Sequence, residues 1–477
     1  MKHLILAASA LALLAACGSE TGTGPGGADG AAPASGDAVA AGIAGMPEGP
    51  LRVADENLVA LYKQLHETPE LSFKEAQTSA LLASELKTLG FTVTEGVGDA
   101  WVKDKSMKDH GEVRAGVGGY GVVGVFENGP GPVILIRTDT DALPVPESTG
   151  LAFASKVMSE TWTGVESNVM HACAHDIHMT VWVGTARRLI AEKDKWKGTL
   201  VMIAQPAEEI GLGAQAMIAE GLYTKFPKPD YNIALHVSAG APAGTIAYSS
   251  GFALANVDSV DVKVKGVGGH GAYPHTTVDP VLVASHIVVA LQSLVSRNTN
   301  PLDSAVVTVG SIKAGAKHNI IADEAELLIT VRSYEDKTRQ MLLDGIKRIA
   351  DGQAAAFGAP APEITVESDF TPATYNDPDL TTRAMAAISA ELGAGNVRAV
   401  APVMGGEDFG QFARTEEKIP GVIFWLGAVE PDKYAASQTD GMPLPSLHSP
   451  LFAPDYDPAI ATGVDAMTSA VIDLFKN

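Results

Sequence analysis

Short apolar segments alternate with helical patterns along most of the chain, and this alternation limits the fold more than any other feature. Val133–Ile136 consists of four consecutive apolar residues, and the strand predicted over Thr199–Ala204 contains a similar run. Runs of this length suit strands that are covered on both faces. Helical apolar spacing is found in Asp55–Leu65 and Ser72–Leu89, and a further helix is predicted over Met179–Ala191. Buried strands that alternate with helices indicate the α/β class.

The pattern changes between Ala255 and Glu367. Ser259–Val264 alternates strictly between polar and apolar residues, whereas Val281–Val295 and Lys337–Phe357 have the spacing of amphipathic helices. Half-buried strands paired with two helices predict a small α+β sandwich inserted into the larger domain. The predicted boundaries are 51–254 and 368–477 for the two parts of the catalytic domain and 255–367 for the inserted domain.

The N-terminus has the pattern of an export signal, because a short cationic start precedes the apolar run Leu4–Ala16, which is too short to span a bilayer. Leu14–Cys17 resembles a bacterial lipobox, in which the cysteine is lipidated; a plain signal peptide is the alternative. Residues 17–50 are mostly Gly, Ala, Ser, Thr and Pro and predict a flexible linker. We therefore expect residues 1–16 to be a signal peptide. The exported protein would then be anchored to the periplasmic side of the cell envelope by lipid on Cys17, its only membrane contact.

Charge and cysteine content exclude two classes of protein. The 477 residues carry a formal net charge of −22 without a basic run, so a nucleic-acid-binding protein is excluded. Two cysteines allow at most one disulfide, so a disulfide-stapled scaffold is excluded as well.

The segment His171–His178 contains three histidines and one cysteine. In an extended segment residues i and i+2 point the same way, so Cys173 and His175 are predicted to converge as a thiolate and an imidazole. These ligand types suit a transition metal. His171 and His178 are weaker candidates, which we expect to brace the loop or the following helix.

Two adjacent carboxylates, Glu208 and Glu209, follow the buried strand that ends near Ala204. Adjacent residues in extended chain face different directions, so one can bind metal while the other acts as a general base on water. Taken alone, the pair would be interpreted as a solvated acidic turn; beside a metal loop, the catalytic interpretation is favoured.

Three further polar residues complete the candidate site. Asp141 follows another predicted strand and could accept a hydrogen bond from the second nitrogen of a ligating histidine. His236 directly follows an apolar run that is predicted to be a strand, and His448 lies in a Leu-His-Ser-Pro segment.

Seven motifs follow one another along the chain: Leu65–Phe73, Arg137–Pro144, Met170–His178, Gln205–Glu209, Gly268–His275, Gly406–Phe409 and His448–Pro450. In this order the motifs resemble the M20 metallopeptidase family, and within it the amidohydrolase branch, subfamily D, of aminoacylase-like, hippurate-hydrolase-like and auxin-conjugate-hydrolase-like enzymes. They cover essentially the whole chain after the linker. The chain departs from the usual metal loop at Ala174 and Ile177, which replace glycines.

The resemblance implies a two-domain metallohydrolase with a mixed central sheet flanked by helices and a binuclear metal centre. Cysteine softness favours zinc, manganese is also expected, and cobalt or nickel is possible. It implies a homodimer formed through the inserted lid or dimerisation domain, with His270 reaching into the partner's active site to stabilise the oxyanion. The remaining implied roles are Cys173, His175, Glu209, His236 and His448 as metal ligands, Glu208 as general base, and Asn319 and Arg332 as substrate contacts.

These residues predict hydrolysis of the amide bond of N-acyl or N-aryl amino acids by a metal-activated water. A carboxypeptidase or dipeptidase of the same fold is the alternative. A non-catalytic tethered binding protein would be expected to lack Glu208 or one of the ligands, and none of these is missing.

Overall fold

A computed structural model of the chain describes residues 45–476. The predicted signal peptide, Cys17 and most of the predicted linker lie outside the described residues. The strands are β1 Thr92–Gly98, β2 Tyr120–Glu127, β3 Val133–Asp139, β4 Met158–Glu160, β5 Glu166–Asn168, β6 Thr199–Gln205, β7 Tyr231–Pro242, β8 Ile246–Tyr248, β9 Gly251–Leu254, β10 Asn256–Lys265, β11 Gly269–His270, β12 Ala305–Ala314, β13 Ile320–Ile321, β14 Glu324–Ser333, β15 Glu363–Val366, β16 Thr374–Asn376, β17 Val397–Ala399 and β18 Gly421–Val429.

The helices lie between these strands and after the last one. They are α1 Glu56–Glu67, α2 Ala76–Thr88, α3 Asp99–His110, α4 His175–Ala191, α5 Gly213–Ala219, α6 Leu222–Lys225, α7 Pro280–Ser293, α8 Asp336–Ala356, α9 Pro378–Leu392, α10 Pro431–Asp440 and α11 Tyr456–Leu474.

Eight strands form one sheet, the large sheet, in the order β1-β2-β6-β3-β7-β18-β8-β17. The central strands β6, β3, β7 and β18 run parallel, while β1 and β2 are antiparallel at one edge. Ile134 and Ile136 pack into the hydrophobic core on one face, and Leu135 packs into the core on the other. Covering of both faces explains the continuous apolar run in β3, and the α/β prediction with a mixed central sheet is confirmed.

Four antiparallel strands form a second sheet, the small sheet, in the order β12-β14-β10-β15. Alternate residues of β10 are buried, among them Val260 and Val262, because α7 and α8 cover only one face. α7 also leaves apolar side chains outside this core, and Val289 is 73% exposed.

Two helices begin elsewhere than their apolar spacing predicts. α2 starts at Ala76 rather than at Ser72, because Phe73 has a left-handed backbone with φ 60° that cannot belong to an α-helix. α4 starts at His175, one turn before the predicted Met179, so the metal-loop segment is not extended up to His178. For α4 the polar residues His175, Asp176 and His178 hid the start of the helix.

Candidate metal centre

The loop that contains Cys173 ends where α4 begins, at the edge of the large sheet. Ala174 has a left-handed backbone with φ 65°, and His175 is the first residue of α4. The turn brings the ligand atoms of Cys173, His175 and His236 within 4.8 Å of one another. Cys173 Sγ lies 3.5 Å from Nε2 of His236. The cysteine and histidine thus converge as predicted, but through a helix start rather than through an extended segment.

Backbone carbonyls fix the orientation of the buried His175 and the half-buried His236. His175 Nδ1 donates to the Asp141 carbonyl at 2.7 Å, and His236 Nδ1 donates to the Val237 carbonyl at 2.7 Å. A carbonyl oxygen only accepts, so each Nδ1 carries a hydrogen, and Nε2 is the nitrogen that can bind a metal when the ring is neutral. In that neutral form, both rings have the tautomer that a metal ligand needs.

Glu209 lies between two of the predicted histidine ligands. Its Oε1 is 3.7 Å from His175 Nε2, and its Oε2 is 3.5 Å from His448 Nε2. Cys173, Glu209 and His448 also form a group whose ligand atoms lie within 4.8 Å. The five residues proposed as ligands therefore form two overlapping groups that share Cys173.

Glu208 stands beside these groups, with Oε2 3.8 Å from His175 Nε2. Burial and the negative charges of Glu407 and Glu209 raise the pKa of Glu208 well above its usual range. Burial, with Asp141 nearby, also raises the pKa of Glu209 to about 8, although His175 opposes this shift. Several carboxylates are thus crowded into a dry site that positive charge would stabilise.

The buried ligand atoms have no other use in the fold. His175 Nε2 and Glu209 Oε1 are both buried without a hydrogen-bond partner among the described residues. Leaving such atoms unpaired costs about 1–3 kcal/mol each. Two orphaned atoms of ligating type, aimed at the same cluster, fit a site for metal ions.

His448 is the most exposed of these five residues, and 54% of its side chain is accessible. Its backbone is left-handed with φ 64°, and its N–H donates to the Ala172 carbonyl at 2.9 Å. This bond ties the C-terminal loop to the loop of Cys173. Partial burial of its ring, with His175 and His236 nearby, lowers the pKa of His448 to about 4, so its ring nitrogens are available as ligands at neutral pH.

Asp141 acts differently from the sequence-based expectation. The partner of His175 Nδ1 is the backbone carbonyl of Asp141, while the nearest carboxylate oxygen is 3.5 Å away. The carboxylate instead accepts the backbone N–H groups of Glu208 at 3.0 Å and Glu209 at 3.1 Å. It therefore holds the loop of the acidic pair.

The three residues expected on the inserted domain divide into two sets. Arg332 lines a cavity that Cys173 and Glu208 also line, and its guanidinium donates to the Met404 carbonyl at 3.2 Å. His270 and Asn319 are exposed and adjacent, on the paired β11 and β13 segment, and neither lines that cavity. Of the three, only Arg332 lines the same cavity as the candidate metal ligands within one chain.

Sequence reasoning assigned no role to a buried ion network beneath the site. Arg137 donates to Asp139 at 2.8 Å, Glu407 at 2.8 Å and Asp408 at 3.1 Å, and all four side chains are inaccessible. Gln205 contacts the same guanidinium at 3.0 Å. A signal was present, because charged residues follow an apolar strand, but their pairing over 270 positions is not visible in sequence.

Two further histidines brace the site rather than bind in it. His178 donates to Asp139 and accepts the Val237 N–H at 2.8 Å, next to His236. His66 is buried between Asp176 at 2.6 Å and Glu147 at 3.1 Å. Burial opposes its charge, but these two carboxylates raise the pKa of His66 to about 10.

A cavity of about 810 Å³ opens onto the cluster, between the large sheet and the small sheet. Cys173, Glu208, Glu209, His236 and His448 line one end. Its other walls carry Arg332, the acidic residues Glu367, Asp369 and Glu407, and apolar side chains; among the apolar ones are Leu254, Val257, Val306, Met404 and Trp425. The cavity can hold a small molecule with both an apolar and an anionic part.

The sequence model described as Peptidase family M20/M25/M40 matches residues 135–448 of the chain. Thermostable carboxypeptidase 2 of Saccharolobus solfataricus is 35% identical over 372 residues, 78% of this chain and 85% of that protein. N-acetyldiaminopimelate deacetylase of Bacillus pumilus is 35% identical over 418 residues, 87% of this chain and 97% of that protein. A dinuclear metal-binding peptidase of the M20 family from Bacillus subtilis has a similar structure, with a TM-score of 0.65 and 29% identity, over 87% of this chain and 97% of that one.

Proposed function

The chain belongs to peptidase family M20/M25/M40, and on that premise we propose that it hydrolyses the amide bond of N-acyl or N-aryl amino acids, with Glu208 as general base. The observation that carries the proposal is the pair of orphaned ligand atoms, His175 Nε2 and Glu209 Oε1, with the Glu208 carboxylate beside them. The deacetylase among the relatives supports an N-acyl substrate.

The donor set suits two divalent cations, with zinc or manganese expected first and cobalt or nickel as further candidates. When bound, such a pair polarises a carbonyl and supplies a water that ionises near neutral pH. The residues that would hold the ions are Cys173, His175, Glu209, His236 and His448.

Glu208 moves the proton in this proposal. Burial and two neighbouring carboxylates raise its pKa well above its usual range, so it takes up a proton more readily than an exposed glutamate. Glu208 accepts the proton of the attacking water and delivers it to the leaving nitrogen of the amide. The Asp141 carboxylate keeps the Glu208 backbone in place through its N–H.

His270 supplies the hydrogen bond to the oxyanion from a second copy of the chain. Two observations support a homodimer: His270 is exposed away from the cavity of its own chain, and α7 leaves apolar side chains such as Leu282 and Val289 exposed. Asn319 is adjacent to His270 and would contact substrate in the same partner site.

Arg332 is the candidate partner for the substrate carboxylate. It is half-buried, faces the cavity and forms no ion pair among the described residues, although burial lowers its pKa. A guanidinium can bind a carboxylate through two hydrogen bonds. In the Arg332→Ala variant we expect KM for an N-acyl amino acid to rise about 10-fold to 100-fold, with a smaller effect on the matching carboxamide.

A substrate panel tests the proposed function. Purified protein is loaded separately with zinc and with manganese and assayed on N-acyl amino acids, N-aryl amino acids and dipeptides, with Glu208→Gln as the blank. We expect the highest kcat/KM on an acylated amino acid. Preference for dipeptides or peptide C-termini would favour the alternative function, a carboxypeptidase or dipeptidase, which the Saccharolobus relative also supports. Absence of turnover on every amide would refute both.

We also propose that the protein is exported and held on the cell envelope by lipid on Cys17. The support is the Leu-Ala-Ala-Cys sequence and the polar linker that follows it. A Cys17→Ser change should release active enzyme from the membrane fraction; retention there would contradict lipid anchoring.

A further inference from the structure

Two residues other than glycine adopt a left-handed backbone directly behind the acidic pair. Phe73 has φ 60° and Ala207 has φ 52°, and Ala207 immediately precedes Glu208. This conformation costs a residue with a side chain about 1–2 kcal/mol. Such strain persists only where the surroundings enforce it, and it is found most often at functional sites.

One buried oxygen holds both strained residues. Glu75 Oε1 accepts the N–H of Ala207 at 2.9 Å and the N–H of Phe73 at 3.0 Å. Glu75 is completely buried, and its Oε2 has no partner among the described residues. A carboxyl group is expensive to bury, so its retention here calls for a reason beyond packing.

The side chain of Glu75 does not cap α2, the helix that it precedes. It occupies the position before α2 where a side chain usually accepts an N–H of the first turn, but it forms no such capping bond. Its carboxyl group is instead directed across the fold, to a residue 132 positions later in the chain. The contact therefore concerns the loop of Glu208 rather than the stability of α2.

Asp141 continues the same support along the chain. Glu75 accepts the Ala207 N–H, and Asp141 accepts the next two, from Glu208 at 3.0 Å and Glu209 at 3.1 Å. Three consecutive N–H groups are thus held by two buried carboxyl groups. These bonds fix the backbone from which the Glu209 side chain points to the ligand groups and the Glu208 side chain stands beside them.

We propose that Glu75 is a positioning residue that holds Ala207 in its left-handed conformation and thereby aims the Glu208 and Glu209 carboxylates. The proposal rests on the proposed function for the roles of these two carboxylates. Glu75 does not line the cavity that opens onto the cluster, and it acts through the backbone of residue 207.

The test compares Glu75→Gln, Glu75→Ala and the double variant Glu75→Ala with Ala207→Gly, each assayed per metal-loaded molecule. In Glu75→Ala we expect kcat to fall about 100-fold, as for a small misplacement of reacting groups, with KM near the parent value. Glu75→Gln keeps an oxygen that accepts both N–H groups and should retain most of kcat. Glycine adopts the left-handed conformation without cost, so Ala207→Gly should recover at least about 10-fold in the double variant.

Amide hydrogen exchange at residues 207–209 gives a readout that does not depend on catalysis. We expect exchange at Ala207 to quicken at least about 10-fold in Glu75→Ala and to stay near the parent rate in Glu75→Gln. Leu86→Ala is the matched control, because Leu86 is a fully buried residue of α2 and its loss should lower stability without changing kcat. If Glu75→Ala does not fold, Glu75→Met replaces it, since methionine fills the space without an acceptor.

Unchanged kcat and unchanged exchange at Ala207 in Glu75→Ala or Glu75→Met would overturn the proposal. A loss in Glu75→Gln as large as in Glu75→Ala would overturn it as well. Full activity of Glu208→Gln would instead refute the proposed function, and the exchange result would still decide the role of Glu75.

Discussion

The candidate functional residues of the large sheet are buried, whereas His270 on the small-sheet side is exposed. At the edge of the large sheet, His175 is inaccessible, Cys173 and Glu208 are buried, and the Arg137 network below them is sealed from solvent. On the small-sheet side, His270 is exposed; it pairs with Ile320 across β11 and β13, and its Nδ1 accepts the N–H of Ala272. Under the proposed function, the metal-binding half of the site would be complete within one chain, whereas the oxyanion half would come from a second copy.

Loss of a ligand should produce the largest effect. In Cys173→Ser we expect kcat to fall at least about 10³-fold, roughly 4 kcal/mol of barrier, because both candidate ligand groups share this sulfur. Elemental analysis should find fewer metal ions per chain than in the parent. Parent activity and parent metal content would break the claim that the large-sheet half is a metal site.

Loss of the exposed histidine should lower activity without loss of metal. We expect His270→Ala to reduce kcat about 10²-fold to 10³-fold, as for removal of an oxyanion donor. His275→Ala, an exposed histidine of the same segment, is the control.

Mixing two inactive variants sharpens this comparison. Hybrids of His270→Ala with Glu208→Gln should regain activity, because one of the two sites would then carry both parent residues. An activity that stays at the level of the separate variants would show that His270 does not act across a dimer.

The buried pair of His66 predicts a pH dependence of stability for the large-sheet half. Burial opposes its charge, yet Asp176 and Glu147 raise the folded-state pKa to about 10 from 6.5. Protonated His66 therefore stabilises the fold fully below pH 6.5, and this contribution is lost as the pH rises towards 10.

His66→Ala should lower stability by about 3 kcal/mol near pH 6, because two buried carboxylates lose their partner, and by less at pH 9.5. Thermal unfolding at several pH values measures the difference. His286→Ala, on the exposed side of α7, should leave the pH profile unchanged. An identical pH profile for His66→Ala and the parent would contradict a charged, paired His66.

The smallest effect is expected at the metal loop itself. Ala174 is left-handed, so Ala174→Gly should relieve strain and raise stability by up to about 1 kcal/mol, less the greater entropy of glycine in the unfolded chain. Ala172→Gly, in the same loop without a left-handed backbone, should destabilise. A lower melting temperature in Ala174→Gly than in the parent would show that the loop is not strained at this residue.

Sequence patterns predicted what depends on local order and missed what depends on distant partners. The apolar run in β3 and the alternation in β10 identified both sheets, because burial on two faces or one leaves a direct pattern. The convergence of Cys173 with His175 was predicted, but from an extended segment where the structure has the start of α4. The Glu75 bond to Ala207 and the Arg137 network could not be predicted, since they join segments that only the completed fold brings together.

The start of α2 shows the same limit at one residue. Ser72–Leu89 has helical spacing, but the left-handed Phe73 is held by Glu75, whose other partner is 132 residues away. Likewise the carboxylate of Asp141 could have served His175, and only the geometry assigns that bond to its carbonyl.

The central claim is that Glu208 carries the proton in a metal-dependent amide hydrolysis. The most direct measurement is kcat of Glu208→Gln on the preferred N-acyl amino acid, with metal content determined on the same sample. Glutamine keeps the shape of the side chain but cannot accept the proton, so we expect full metal content and a kcat at least about 10³-fold below the parent. Full metal content with parent kcat would contradict the claim.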